Sequence, residues 1–156
     1  MARLGGRMRQ WVRQIGLGFM LAPVAAPGLA QGWEAPARGS ELRADLMDAI
    51  RPHAEWMLGA PVEFVVNDLR VRGDRAVAML VAQRPGGGVI DVARSPMVAR
   101  GEFAPEIADI AHIEAFYVRS GRTWVALHWA IGATDPWFAW EPICAEFGAL
   151  IPEYCR

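Results

Sequence analysis

The stretch from Ile110 to Ile131, IAHIEAFYVRSGRTWVALHWAI, constrains the fold of this chain more than any other segment. Two runs of about ten residues, rich in β-branched and aromatic side chains, flank the polar segment Arg119-Ser120-Gly121-Arg122. This pattern predicts a long antiparallel hairpin. Because a two-stranded ribbon this apolar is not stable by itself in water, the rest of the chain is expected to cover it.

Side-chain alternation assigns the residues of this hairpin to two faces. If the turn is centred on Ser120 and Gly121, one face combines large rings with small residues: Tyr117, Trp124, Ala115, Ala126, Ile113 and His128. The other face is also apolar, apart from His112 and Glu114. A half-solvated sheet would show a more polar outer face. We therefore expect a helix on one face and the C-terminal segment, or a second subunit, on the other.

The segment before the hairpin predicts one helix. Ser40 is a suitable N-cap, and apolar residues recur on one helical face as far as Met57. Pro52 is expected to kink this helix or to split it, because proline lacks the backbone donor. The helix is the candidate cover for the hairpin.

A second hairpin is predicted from residues 62–72 and 75–84, around Gly73-Asp74. The change of apolar parity near Asn67 indicates a β-bulge in its first strand. Residues 89–93 are a candidate for a short further strand. The stretch 94–106 is predicted to be an irregular loop with one helical turn at most.

The C-terminal part predicts short helical pieces and a disulfide. Asp135 followed by Pro136 is typical of a helix start, which gives helical segments at 137–141 and 143–147. Cys144 and Cys155 are the only cysteines. An eleven-residue separation predicts a structural disulfide in an oxidising compartment, with two buried free thiols as the alternative.

The N-terminal 30 residues predict a bacterial secretory signal peptide. Four arginines and no acidic residue precede an apolar run from Ile15 to Ala26, and Gly28-Leu29-Ala30 resembles a cleavage site. A mitochondrial presequence is the alternative. The apolar run is too short for a permanent membrane span. We therefore predict a periplasmic or secreted protein, with a linker at 31–39 and one domain at 40–156.

The charge of the predicted mature chain disfavours nucleic acids and anionic membranes as partners. Removal of residues 1–30 leaves twelve arginines against seventeen acidic residues, a formal charge of −5. Because nucleic acids and anionic membranes are bound through basic surfaces, neither is an expected partner. The predicted fold is α+β: a curved antiparallel sheet of four to five strands, in two hairpins, packed on one kinked N-terminal helix, with short C-terminal helical turns.

Two motifs carry a resemblance to a known family. The segment Gly121-Arg122-Thr123-Trp124-Val125, preceded by Val71-Arg72-Gly73-Asp74-Arg75-Ala76-Val77, resembles nuclear transport factor 2-like (cystatin-like) domains. The stretch Ile131-Gly132-Ala133-Thr134-Asp135 is similar to one in uncharacterised exported bacterial proteins. The resemblance implies a sheet curved around a helix with a cone-shaped cavity between them. Members of the broad family include isomerases, dehydratases, polyketide cyclases and non-catalytic binding modules, so it implies fold better than function.

Two sets of residues are candidates for a functional site in such a cavity. His128 could act as a general acid or base with Tyr117 or Asp91 as a helper, although a core histidine is the commoner case. Trp124, Ile113, Trp137 and Trp140 could bind an apolar ligand, although aromatic residues more often fill a core.

The remaining polar pair, His112 and Glu114, lies on the second predicted face. Two such residues could share a metal ion, but a third ligand is missing, so no metal site and no cofactor are predicted. A contact with the tail or with a second copy in a homodimer is preferred. We expect an exported binding module for a small apolar molecule or a protein partner. The alternative is a small cofactor-independent lyase or isomerase.

Overall fold

The computed structural model describes residues 32–104 and 111–155, so the predicted signal peptide lies outside the described residues. In chain order the regular elements are α1 (Glu41–Leu58), β1 (Glu63–Arg72), β2 (Arg75–Gln83), a 3-10 turn (Val92–Arg94), α2 (Pro96–Ala99), β3 (His112–Ser120), β4 (Thr123–Ile131) and α3 (Glu141–Phe147). The strands form one antiparallel sheet in the order β1-β2-β3-β4. The predicted α+β fold with two hairpins is confirmed.

Helix α1 covers one face of the sheet. The Ser40 hydroxyl caps it by accepting a hydrogen bond from the backbone N–H of Arg43 at 3.3 Å. Its buried side chains recur at three- and four-residue intervals: Leu46, Met47, Ile50, Ala54 and Leu58. The helix runs unbroken through Pro52, so the predicted split is wrong. Pro52 is exposed, and the Asp48 carbonyl that loses its donor lies on the same exposed side, where water can replace it.

The first hairpin contains the predicted bulge. Its register shifts between Val66 and Asp68, which confirms the parity change near Asn67. As a result Phe64 and Val66 before the bulge, and Leu69 and Val71 after it, all contact the core beneath α1. The two-residue loop begins at Gly73, whose φ of +62° is accessible to glycine at little cost.

The second hairpin differs from its predicted register in two ways. Ser120 pairs with Thr123, so the loop is Gly121-Arg122, one residue later than predicted. A bulge at Leu127 then shifts the pairing from Tyr117–Ala126 to Phe116–His128.

The bulge at Leu127 exchanges the faces of every later residue in β4. His128 therefore lies on the face away from α1, and its predicted place beside Tyr117 and Trp124 is wrong. Trp129 instead faces α1, where its ring centroid lies 4.9 Å from that of His53.

The face of the sheet away from α1, called the C-terminal face from here on, is covered by α3 and the tail. Its core consists of Val77, Phe116, Phe138, Ile143, Phe147, Leu150 and Ile151. The expectation that the C-terminal segment covers the second face is confirmed. The predicted disulfide between Cys144 and Cys155 is also present, with Cα atoms 5.3 Å apart, and it ties the tail to α3.

The connecting segments meet their predictions in part. Residues 89–93 form no strand, so that prediction is wrong. The described part of the 94–106 loop contains the end of the 3-10 turn and the single-turn helix α2, which agrees with an irregular loop that has one helical turn. Residues 137–139 form a turn rather than a helix, since α3 begins only at Glu141, and Asp135 is therefore not a helix cap. In the predicted linker, Glu34 pairs with Val71 at the edge of β1 through two backbone hydrogen bonds of 2.8 Å.

Candidate functional site

A buried carboxylate lies near one end of the C-terminal face. Even-numbered residues of β3 point to this face, which places Glu114 between Met79 of β2 and Ala130 of β4. Glu114 is only 5% exposed. Burial disfavours the charged carboxylate and raises the pKa of Glu114, while the Trp137 hydrogen bond and the nearby His112 oppose that rise. The negative charge of Asp135 adds to the rise.

Each carboxylate oxygen of Glu114 has a different partner. The Nε2 atom of His112 lies 2.8 Å from Oε1, because residues two apart on a strand share a face. The indole N–H of Trp137 donates a longer hydrogen bond of 3.4 Å to Oε2. The His112 side chain is 37% exposed, so its imidazole links the buried carboxylate to solvent.

The turn after β4 positions Trp137 over the sheet. The Trp137 backbone N–H donates to the Asp135 carbonyl, and the Ala139 N–H donates to the Pro136 carbonyl, each at 2.8 Å. The Trp137 ring meets Phe116 edge-on at 5.6 Å between centroids. The indole is thereby held where its N–H reaches Glu114.

An open cleft of about 440 Å³ lies beside this carboxylate, and its lining residues are His112, Glu114, Ala133, Thr134, Asp135, Pro136, Phe138 and Tyr154. Tyr154 meets Phe138 edge-on with ring centroids 4.9 Å apart. The residue after Tyr154 is Cys155, whose disulfide fixes this end of the tail. The cleft thus combines carboxylates and an imidazole with aromatic and aliphatic walls.

The structure does not bring the predicted acid–base residues together. His128 lies on the C-terminal face, half-buried, with its ring edge-on to Phe147 at 6.3 Å. Tyr117 is fully buried on the α1 face, and burial strongly raises its pKa. Within the described residues its hydroxyl has no hydrogen-bond partner. Asp91 is exposed just before the 3-10 turn.

The predicted ligand-binding residues are likewise divided between the two faces. Trp124 and Ile113 belong to the packed core under α1. Trp140 is 63% exposed at the start of α3. None of the four is among the described lining residues of the cleft, and Trp137 contacts that lining through its hydrogen bond to Glu114.

Tyr154 is a residue of the cleft that the sequence does not predict for a site. The sequence allows Asp135 to orient His128, but Asp-Pro is a common helix start and favours a helix cap. The position of Tyr154 next to Cys155 was the available signal, since the predicted disulfide fixes that part of the tail. A carboxylate within an apolar strand, as at Glu114, was the other signal.

A second depression, of about 290 Å³, lies between α1 and the tip of the second hairpin, and it is lined by Asp45, Asp48, Ala49, Arg122, Thr123 and Trp124. Its charged residues are exposed and reach solvent directly. It lacks the combination of a buried titratable group and an open wall found beside Glu114, which makes the latter the better candidate.

Within residues 32–104 and 111–155, no group of three or more histidine, cysteine or acidic residues is arranged to hold a metal ion. No helix among those residues is long and apolar enough to cross a bilayer. Searches against protein-family models, curated proteins and solved structures each found no match. A function can therefore be inferred only from the residues that line the cleft.

Proposed function

We propose that this protein is an exported ligand-binding domain, and that the cleft beside Glu114 holds a small, largely apolar molecule that donates a hydrogen bond. The observation that carries this proposal is the buried Glu114 carboxyl at the wall of an open cleft. A volume of about 440 Å³ is typical of small-molecule sites. Such sites combine apolar walls with a few polar groups that fix orientation.

The wall residues support an apolar ligand body. Phe138 and Tyr154 meet edge-on, and Pro136 and Ala133 complete the apolar lining. A ring or short aliphatic group could contact these residues while its polar group meets Glu114. Because Trp137 and His112 already hold the carboxylate, the site needs little rearrangement on binding.

Export is supported by the two ends of the chain. The arginines followed by an apolar run in residues 1–30 have the order of a secretory signal. The disulfide between Cys144 and Cys155 is of the kind that persists in oxidising compartments. Mass spectrometry of the periplasmic fraction after expression of the full chain in a bacterium tests this, with a mature N-terminus near residue 31 as the expected result.

The experiment for the ligand site is calorimetric titration of the mature protein with small aromatic alcohols, amines and amides. Tyr154→Ala should weaken binding at least about threefold, because it removes one wall. Trp140→Ala is the matched control, an exposed aromatic outside the cleft lining, and should bind as the wild type does. Equal losses in both variants, or no binding of any probe, would count against the cleft as the site.

A second function is favoured by the raised pKa of Glu114 and its contact with His112. A buried carboxyl of this kind is suited to proton transfer, as in a cofactor-independent lyase or isomerase. A nitrobenzisoxazole tests this, since a base that removes its ring proton breaks the N–O bond and releases a coloured phenolate. Turnover lost in Glu114→Gln but kept in His128→Gln would support catalysis. A rate equal to that of free acetate would exclude it.

The resemblance to nuclear transport factor 2-like domains remains part of the proposal. A helix followed by two antiparallel hairpins supports it. The family's cavity would lie between helix and sheet, whereas here fully buried Leu46, Ile50 and Ala54 pack into the sheet at that place. The proposed site of this chain is therefore on the opposite face of the sheet.

A further inference from the structure

The acidic residues of the C-terminal face differ in whether an arginine pairs with them. Arg70 makes ion pairs of 2.7 Å with both Asp68 and Glu153, and Arg75 makes one of 2.8 Å with Glu146. These acids are all more exposed than Glu114, whose side-chain contacts within the described residues are with the His112 imidazole and the Trp137 indole. The most buried acid of this face thus lacks an arginine.

A second carboxylate faces the same cleft. Asp135 lines it and is close enough for its charge to disfavour the ionised form of Glu114. Neither arginine nor lysine is among the described residues that line the cleft. A cation between Glu114 and Asp135 would remove their mutual repulsion and form charge-assisted hydrogen bonds.

The aromatic walls suit the same class of ligand. Tyr154 and Phe138 both line the cleft, and Tyr154 is 45% exposed, so a ring face or edge is available to an incoming molecule. Aromatic rings attract ammonium and amidinium groups and also contact apolar bodies. Carboxylates and aromatic rings together therefore favour a cation joined to a ring or short chain.

We infer that the cleft binds a small organic cation, an ammonium or amidinium group on an apolar body, with its charge between Glu114 and Asp135 and its body against Phe138 and Tyr154. This inference rests on the proposed ligand-binding function and names the chemistry of the ligand. Thr134 adds a hydroxyl to the same lining.

The test compares three probes with the same ring, benzylammonium, benzyl alcohol and benzoate, by calorimetric titration of the mature protein at neutral pH and fixed salt. Benzylammonium should bind at least about tenfold more tightly than benzyl alcohol, because its hydrogen bonds are charge-assisted. Benzoate should bind most weakly. Zinc chloride should bind no more tightly than benzyl alcohol, since the described residues provide no three-ligand group.

Variants assign the charge effect to named groups. Glu114→Gln should lower benzylammonium affinity about tenfold and benzyl alcohol affinity by less than about threefold. Asp135→Asn should have a smaller effect in the same direction. Asp48→Asn is the matched control, because it removes an exposed carboxylate on α1, on the other side of the sheet. Circular dichroism of each variant verifies folding before titration.

The outcomes separate this inference from the function on which it rests. If benzyl alcohol binds as tightly as benzylammonium, the cation preference is overturned while the binding function stands. If zinc binds more tightly than benzylammonium, the site is a metal site and the organic cation is overturned. If none of the probes binds, both the inference and the binding function are overturned.

Discussion

The two faces of the sheet are covered in different ways, and the difference locates the cleft. On the α1 face, one helix of eighteen residues lies across small and aliphatic strand residues such as Ala76, Ala78 and Leu80, all at most 1% exposed. A regular helix presents its side chains at a constant interval, so it can fill a regular surface without gaps. This face is a core.

The C-terminal face has an irregular cover. Phe116 is surrounded by the rings of Trp137, Phe138 and Phe147 at 5.2 to 5.6 Å between centroids, and the cover consists of a turn, a seven-residue helix and the tail. These short pieces leave the end of the sheet at His112 open. The one buried acidic residue of the described chain lies at the edge of that opening. The gap therefore lies where no continuous element covers the sheet.

The largest effect on stability should come from a substitution in the core beneath α1. Ile50→Ala removes a fully buried side chain beneath the sheet and should lower the free energy of unfolding by about 2–5 kcal/mol, because a cavity remains. Urea unfolding of the mature protein measures this. Val89→Ala, at a residue 92% exposed, is the control and should change stability by less than about 0.5 kcal/mol. Similar losses in both variants would show that the α1 face is not the main core.

Loss of the disulfide should affect both stability and the cleft. The double variant Cys144→Ser/Cys155→Ser frees the tail that carries Tyr154, and on the chain-entropy model it should cost about 2–3 kcal/mol. Benzylammonium affinity should fall as well, because Tyr154 lines the cleft. Ile50→Ala serves as the control, since at a temperature where it remains folded its affinity should be unchanged. If the double variant binds normally, the tail does not form a wall of the site.

A smaller loss is expected at Arg70, which ties the tail to β1. Its guanidinium donates to the Leu150 carbonyl at 2.7 Å, pairs with Asp68 and Glu153, and lies over the Trp33 ring. Arg70→Lys keeps the charge but loses the planar fork, and should cost about 1–2 kcal/mol in urea unfolding.

Arg72→Lys, at an exposed residue of the same strand, is the matched control for Arg70→Lys and should cost less than about 0.5 kcal/mol. Equal stability of the two variants would mean that the disulfide and the buried Leu150 and Ile151 hold the tail without help from Arg70. In that case the ion pairs of Arg70 would be surface contacts of little energetic consequence.

Much of the fold could be predicted from local signals. Turn glycines, the apolar spacing of α1 and the parity change at Asn67 each depend on neighbours in sequence, and each led to an observed element. The disulfide was predictable because the chain has two cysteines only. These features need no knowledge of tertiary packing.

The site was less predictable because one inserted residue moved its neighbours. Around Leu127 the sequence has no turn residue and no change of apolar pattern that would predict the bulge. The bulge nevertheless exchanges the faces of His128 and Trp129. Asp135 followed by Pro136 is typical of a helix start, but the chain forms a turn at 137–139 instead. The sequence therefore places His112 and Glu114 together on one face, as a contact for the tail or a second copy, but it does not place Asp135 and Tyr154 beside them.

The smallest expected effect is a pH dependence that reports on Glu114 itself. Because burial raises the pKa of Glu114 in the folded protein, the folded state holds this proton to higher pH than the unfolded state does. The free energy of unfolding therefore decreases, through Glu114, as the pH rises from the ordinary glutamate pKa through the raised pKa. The side chain introduced by Glu114→Gln does not titrate, so the stability of this variant relative to wild type should increase as the pH rises from about 4, the ordinary glutamate range, through the raised pKa of Glu114.

Urea unfolding at several pH values measures this difference, with Glu63→Gln, at an exposed position in β1, as the control for loss of one negative charge. The gain of Glu114→Gln over wild type should be larger than that of Glu63→Gln at the upper end of the range and should shrink towards acid. A difference that does not change with pH would mean that water already solvates the Glu114 carboxylate fully. The two faces would then no longer differ in the way described, a packed core under α1 against a poorly solvated carboxylate beside an open cleft. The reason for a cation to bind beside Glu114 would be lost as well.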